Sequence, residues 1–292
     1  MNKLDREARS RILHLLCEGQ SIRATSRLTG ASKNTIIKLL IAAGTAADEY
    51  QDRVFQNLKC KRVQIDEIWT FTYSKQAHTG AAKRKDLAYG DTWTWVATCA
   101  DTKLVPSWMV GRRNIEHAVP FLADLKERLD GRFQLTSDGL QIYLGAVEEV
   151  FGDDIDYAML VKVYGHPQTG AQTRYSPPPC IGARKVPIKG KPASEHVNTS
   201  HAERNNLTMR MHMRRFTRLT NAFSKKVENH AHMVALHFLY YNFVRIHQTL
   251  RVTPAMAAGV TNRLWEMSDV VDVVEAWEAK ATREDANYGN SN

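Results

Sequence analysis

Residues 63–73, VQIDEIWTFTY, constrain this chain more than any other stretch. β-Branched and aromatic residues in loose alternation make the segment a strand. Asp66 sits inside it, flanked by Ile65 and Ile68. An acid within an apolar strand is costly unless a cation or hydrogen bonds compensate it. Any fold must therefore bring such partners to Asp66. Two more strand-like runs follow, Trp93 to Ala100 and Leu104 to Val110, separated by the turn Asp101-Thr102-Lys103. Together they predict a three-stranded meander.

Strands and helices then alternate. Asn114 to Leu129 reads as a helix ended by Asp130-Gly131, and Phe133 to Ser137 as a short strand ending at Asp138-Gly139. A helix to about Val150 and a strand from Ile155 to Tyr164 follow. A meander succeeded by alternating elements predicts an α/β fold with a mixed sheet flanked by helices.

Residues 165–196 interrupt the pattern. Six of the nine prolines fall here (Pro167, Pro177, Pro178, Pro179, Pro187 and Pro192). Arg174, Arg184, Lys185, Lys189 and Lys191 face the single acid Glu195. The expectation is an extended basic loop, either a DNA contact or a plain insertion, with no regular structure. Helices resume near Thr199, and again from Phe223 to about Val244. An amphipathic helix from Asp269 to Lys280 carries Val270, Val273, Val274 and Trp277. The polar tail from Thr282 is expected to be disordered.

Ahead of the strands, residues 4–43 carry three short helical patterns. The first runs from about Asp5 to Glu18 with Ile12, Leu13, Leu15 and Leu16 as its apolar stripe. Ser21 and Ser32 are N-caps for the second and third, and Thr29-Gly30 ends the second. Helix, Gly-containing turn and helix make a helix-turn-helix, whose last helix enters the major groove by its start. Ser32, Lys33, Asn34, Thr35 and Lys38 lie at that start and can donate to bases or phosphates, with Arg23 and Arg27 on the helix before. The alternative is a three-helix subdomain that only packs. The expected division is a DNA-binding domain at 1–45, a linker at 46–60, a catalytic domain at 61–260 and a C-terminal helix with its tail at 261–292.

Hydrophobic residues make up 43% of the 292, which excludes wholesale disorder. The net charge of +9 favours polyanionic partners. Cys17, Cys60, Cys99 and Cys180 have no zinc or disulfide spacing. The N-terminus lacks a signal-peptide stretch, and Met233 to Val244 is too short to span a bilayer. The protein is expected to be cytoplasmic, with no membrane partner and no small-molecule substrate.

Three acids stand where a metal site can form: Asp66 in the first strand, Asp138 after the fourth, and Glu203 in the first turn of a helix. Hard oxygen ligands without a cysteine or histidine cluster point to a pair of Mg²⁺ ions, with Mn²⁺ as a substitute. Phosphoryl transfer uses two metals in this way. Arg210, two helical turns after Glu203, shares its face, and Arg214 extends that face toward a DNA phosphate. Each acid has a plainer reading as a cap or turn residue. Glu67 is expected on the opposite sheet face, and Asp153, Asp154 and Asp156 in a solvated turn.

IDEIW at 65–69, SDGLQIYL at 137–144 and ERNNLTMRMHMRRFTRLTNAFSKKVENH at 203–230 resemble the catalytic blocks of bacterial DDE transposases of the "insertion sequence one" type. YNFVRIHQTLRVTPAMAAG at 241–259 is similar to a tail found across several DDE groups. The resemblance implies a ribonuclease H-like fold. It implies metal binding by Asp66, Asp138 and Glu203, with Arg210 as the basic residue that follows the Glu. Familiar members carry a Cys-rich zinc element before their helix-turn-helix. This chain has none, so recognition of the element's inverted repeats rests on residues 4–43. The expected reaction is attack by metal-activated water on a phosphodiester at the element's end, then attack of the freed 3′-hydroxyl on target DNA. A homo-oligomer is expected, with the 269–280 helix as a candidate contact. The alternatives are a regulator with structural carboxylates and a stand-alone nuclease such as a junction resolvase.

Overall fold

A computed structural model describes residues 4–165, 178–217 and 220–289. Three helices open the chain: α1 (Arg6–Cys17), α2 (Ile22–Thr29) and α3 (Lys33–Val54). Each start is capped by a side-chain oxygen that accepts a backbone N–H: Asp5 from Ala8, Ser21 from Ala24 and Ser32 from Thr35. Gly30 ends α2 at φ 73°, the left-handed conformation that glycine adopts without strain. α3 then runs unbroken to Val54. The boundary expected at residue 45 thus falls inside a helix, and most of the expected linker is that helix's second half.

Six strands form one sheet in the order β3-β2-β1-β4-β5-β6. β1 (Arg62–Thr72), β2 (Gly90–Cys99) and β3 (Ser107–Gly111) are the antiparallel meander. The chain crosses over through α4 (Ile115–Arg128) to β4 (Gln134–Asp138), which lies parallel to β1. It crosses again through α5 (Ile142–Phe151) to β5 (Asp156–Tyr164), parallel to β4. Alternation sorts the sheet's side chains. Trp95, the register partner of Glu67, meets Tyr143 of α5 and Phe121 of α4 on one face. Gln64 and Thr98, also register partners, meet α6 (Ser200–His212) on the other.

β6 (Cys180–Lys189) corrects the expectation for 165–196. Its residues pair antiparallel with β5, and Pro187 falls where the register slips between Tyr157 and Ala158. A proline is tolerated there because β6 is an edge strand and the slip removes a ladder bond. Pro167, Arg174 and Pro177 lie outside the described residues.

α7 (Val227–Leu239) continues into a π-helical turn at Tyr240–Val244. Asn242 in that turn is fully buried and exchanges two 3.0 Å hydrogen bonds with the backbone of Val105, tying the turn to the approach to β3. A short α8 (Pro254–Ala257) leads to α9 (Met267–Gly289). α9 overturns one expectation, since it is helical well beyond Thr282. Val270 and Val274 on its apolar face are buried in its own chain, where α9 packs on α1 and α3, while Val273 and Trp277 are half-buried. Arg9, buried in α1, pairs with Glu275 and Glu278 of α9. Among the described residues, no helix is long and apolar enough to cross a membrane.

α3 and α7 pack closely because position 44 is glycine. A Cβ there would lie 2.4 Å from Cβ of His232 and 2.5 Å from its Cα. Gly44→Ala should cost about 1–3 kcal/mol through forced separation of the helices, less about 1 kcal/mol returned by alanine's helix propensity. A net loss, read as a lower melting temperature in a thermal scan, is expected. An unchanged or raised value would contradict the close packing.

Candidate active site

β1 and β4 pair for only three residues, from Arg62 with Gln134 to Gln64 with Thr136. Beyond that point the two parallel strands part, and β1 is paired on that side only again at Thr72, through a bridge to Ser224. Asp66 lies on the opened edge of β1, and Asp138 is the last residue of β4. Parting lets side chains from both faces of β1 reach the gap. Carboxylate oxygens of Asp66, Glu67 and Asp138 all lie within 4.8 Å of one another, a group of acids able to hold a metal ion.

Each acid is held differently. Asp66 accepts from the backbone N–H of Glu67 at 3.0 Å and from Nδ2 of Asn206 at 2.8 Å. Asp138 accepts from the N–H of Leu140 at 2.9 Å, the turn contact its Asp-Gly sequence promised. Glu67 is buried; Arg113 donates to its Oε1 at 2.7 Å and the hydroxyl of Tyr143 to its Oε2 at 3.0 Å. Glu67 therefore does pack on the α5 side, as alternation predicts. The expectation that this keeps it from Asp66 is corrected, because its carboxylate turns into the opened edge.

Crowding raises the cost of ionising these groups. Burial pushes Asp66 up to about 6, with the charges of Asp138 and Glu203 adding to the effect. Burial likewise pushes Glu67 up to about 7, with Asp138 and Asp66 as its negative neighbours. A divalent cation would relieve that repulsion, and the donors on offer are all carboxylate oxygens, the ligand type hard cations take.

Glu203 arrives from another element. Gln64 of β1 accepts from the first-turn N–H groups of His201 at 2.8 Å and Ala202 at 3.2 Å, which seats the start of α6 on the sheet. Asn206, one turn after Glu203, reaches Asp66, so the helix presents its acid beside the cluster. The Glu203 carboxylate itself pairs with Lys162 of β5 at 2.7 Å and accepts from Thr199. Its partial burial works against ionisation, but the hydrogen bonds from Lys162 and Thr199 and the lysine's charge outweigh this and hold it below the usual carboxylate value. Arg210 is half-buried in the last turn of α6, while Arg214 is exposed in the turn that follows. Lys162, which sequence reasoning passed over, is the cation nearest Glu203. It stands three positions after Met159, the register partner of Ser137, and nothing in the sequence tied it to α6.

The candidate DNA contacts lie apart from these acids. Ser32, Lys33, Asn34 and Lys38 are exposed at the start of α3, and Thr35 is half-buried. The hydroxyls of Ser32 and Thr35 bond each other at 2.9 Å within the cap, which leaves Lys33, Asn34 and Lys38 as the outward donors. Arg23 and Arg27 are exposed on α2. Arg23, Lys33, Asn34 and Arg214 line one cleft of about 790 Å³, so Arg214 joins the N-terminal helices rather than the carboxylates.

Residues 182–245 match the protein family described as IS1 transposase. The match covers less than a quarter of the chain and supports an IS1-type transposase. It takes in Glu203, Arg210 and Arg214, whereas Asp66 and Asp138 precede it. No curated protein matches the chain.

The raised values fix a pH dependence. Asp66 near 6 and Glu67 near 7 exceed the unfolded values of about 4. The folded state thus takes up protons first, so the stabilising contribution is complete below about pH 4 and is lost as pH rises through 6 to 7. Asp138→Asn removes a negative neighbour of both groups. Without metal, the variant should melt above wild type at about pH 8 and level with it at about pH 5. Millimolar Mg²⁺ should raise wild type and leave the variant nearly unmoved. A variant melting below wild type at the higher pH would refute the crowding.

Proposed function

We propose that this chain is a DDE transposase that cleaves insertion-sequence ends and joins them to target DNA. In this reading the N-terminal helices form a helix-turn-helix and the sheet is ribonuclease H-like. The observation that carries the reading is the meeting of Asp66 and Asp138 on the opened edge of β1, with Asn206 binding the Glu203-bearing helix to Asp66. An antiparallel meander followed by two parallel strands, reached through α4 and α5, supports the fold assignment.

Asp66, Asp138 and Glu203 would hold two Mg²⁺ ions, for which Mn²⁺ can substitute. Bound metal would supply activation of the attacking oxygen and stabilisation of the leaving one. The chain's own residues do the remaining work. Asn206 orients the Asp66 carboxylate through its Oδ2. Arg113 and Tyr143 pin Glu67 behind Asp66, so that it shapes the cluster's charge without being free to move. Lys162 neutralises Glu203 and would give way when a stronger cation arrives. Arg210, on the Glu203 face of α6, would hold a DNA phosphate close by. Lys33, Asn34 and Lys38 would read the terminal repeat in the major groove, with Arg23, Arg27 and Arg214 on the flanking backbone.

Strand transfer with Mg²⁺ on labelled element ends tests the chemistry. Wild type should join ends to target DNA, and Asp66→Asn, Asp138→Asn and Glu203→Gln should each lose at least about a thousandfold while still binding. Cleavage without joining would make the protein a nuclease of resolvase type, and binding without chemistry a regulator. Recognition is checked separately by titrating salt. Lys33→Ala and Lys38→Ala should weaken end binding and, for each phosphate contact removed, flatten the dependence of log affinity on log salt by about one. Unchanged slopes would remove α3 from the interface.

A further inference from the structure

The opened edge of β1 carries a second recess beyond the acids. A cleft of about 570 Å³ is lined by Trp69, Phe71, Lys75, Arg215, Phe216 and Phe223, among others. Trp69 and Phe71 follow Asp66 on the same strand, about 10 and 17 Å further along at the rise of an extended chain. Phe71 and Phe223 lie with ring centroids 4.8 Å apart, and Trp69 and Phe71 with centroids 5.9 Å apart. All three rings are half-buried, so they are fixed in place yet keep surface open to the cleft. The far wall is tied to β1 by the Tyr73 N–H, which donates to the Ser224 carbonyl at 2.8 Å. The Thr70 hydroxyl adds a bond to the Arg215 carbonyl at 3.2 Å.

The charges of this recess are one-sided. The Arg215 guanidinium donates to the Ser224 hydroxyl at 2.6 Å and forms no ion pair with a carboxylate among the described residues. Burial depresses it to about 10, with no acid nearby to offset the cost. Lys75 is exposed at the rim, and among the described residues no acid lines the cleft. Aromatic faces beside uncompensated cations suit a nucleotide whose base is free to stack and whose phosphate needs a counter-ion. Bases inside a duplex have both faces covered and cannot use such rings. An acidic peptide would satisfy the cations and leave the rings idle.

We propose that this cleft receives an unpaired nucleotide of the DNA strand passing the Asp66–Asp138 edge, its base against Trp69, Phe71 and Phe223 and its phosphate toward Arg215 and Lys75. The proposal rests on the transposase reading and adds a structural demand to it: DNA beside the scissile bond must be unstacked when bound. Continuity along a single strand supports this, since Asp66, Trp69 and Phe71 all lie on β1 between its last pair with β4, at Gln64, and its bridge to Ser224, at Thr72.

The test uses the full chain with a blunt duplex and with the same duplex bearing a short oligothymidine overhang. Wild type should bind the overhang form about five- to hundredfold more tightly, the range that stacking of one base provides. Trp69→Leu combined with Phe223→Leu should abolish that preference and leave blunt-duplex affinity unchanged. Lys75→Ala, at an exposed position where folding is not at stake, should lower overhang affinity alone. Equal wild-type affinity for the two DNAs would overturn the cleft's role while leaving strand transfer by the carboxylates untouched. An equal loss on both DNAs in the double variant would also overturn it, by showing a general packing role. Failure to bind either DNA would overturn the cleft and the transposase reading together.

Discussion

β1 lies beside β4 for three residue pairs and then leaves it, and nearly everything of interest gathers where the two strands separate. While they are paired, their side chains obey the alternation of a sheet, with Val63 on one face and Gln64 on the other. Once they part, the edge of β1 is open as far as the Thr72–Ser224 bridge, and both of its faces reach the same space. Adjacent acids, Asp66 and Glu67, then converge with Asp138 at the end of β4. The energetic cost shows in the raised affinity of Asp66 and Glu67 for protons. It is borne by a framework that fixes each carboxylate from a different element: Asn206 from α6, Arg113 from the end of the meander, and Tyr143 from α5. Such preorganised crowding serves a site that stabilises cations, and makes little sense as a device for stability.

The same architecture makes the N-terminal helices part of the body of the protein. α3 begins with the outward donors Lys33, Asn34 and Lys38 and ends packed deep against α7, where Gly44 allows the backbones to touch. α9 returns from the C-terminus to cover α1 and α3, and its acids pair with Arg6 and Arg9. Gln51 near the end of α3 donates to the Ala235 carbonyl of α7, and its own carbonyl oxygen Oε1 accepts from Asn242, whose side chain also holds Val105. A displacement at the start of α3 would have to be accommodated by α7 and α9 together, because the helix has no break between its exposed start and its buried end.

Much of this was legible beforehand. The caps Ser21 and Ser32, the Gly30 stop, the meander, both crossover helices and the position of Asp138 at a strand end follow from local rules that act within a few residues. β6 was missed because proline density was read as a ban on regular structure. An edge strand with a slipped register needs fewer backbone donors than a central one, and that depends on which strand has an open side. α9 was cut short because its polar last turns carry no periodic signal, and its packing on α1 and α3 was not legible because those helices are distant in sequence. Glu67 was set aside by a sound alternation argument that fails only where a strand loses its neighbour.

By itself the sequence determined the order and type of most elements and the placement of three candidate acids, since these rest on periodicity, capping and the residue types at fixed spacings. Its motifs also carried the transposase resemblance. Tertiary structure alone decided which acids share a space, that Lys162 is the counter-ion of Glu203, and that Arg214 faces the N-terminal helices. It likewise decided that Trp69, Phe71, Phe223 and Arg215 enclose one cleft. The physical reason is the same in each case: contacts between residues tens to hundreds of positions apart depend on where strands part and helices cross, and no local pattern encodes those distances.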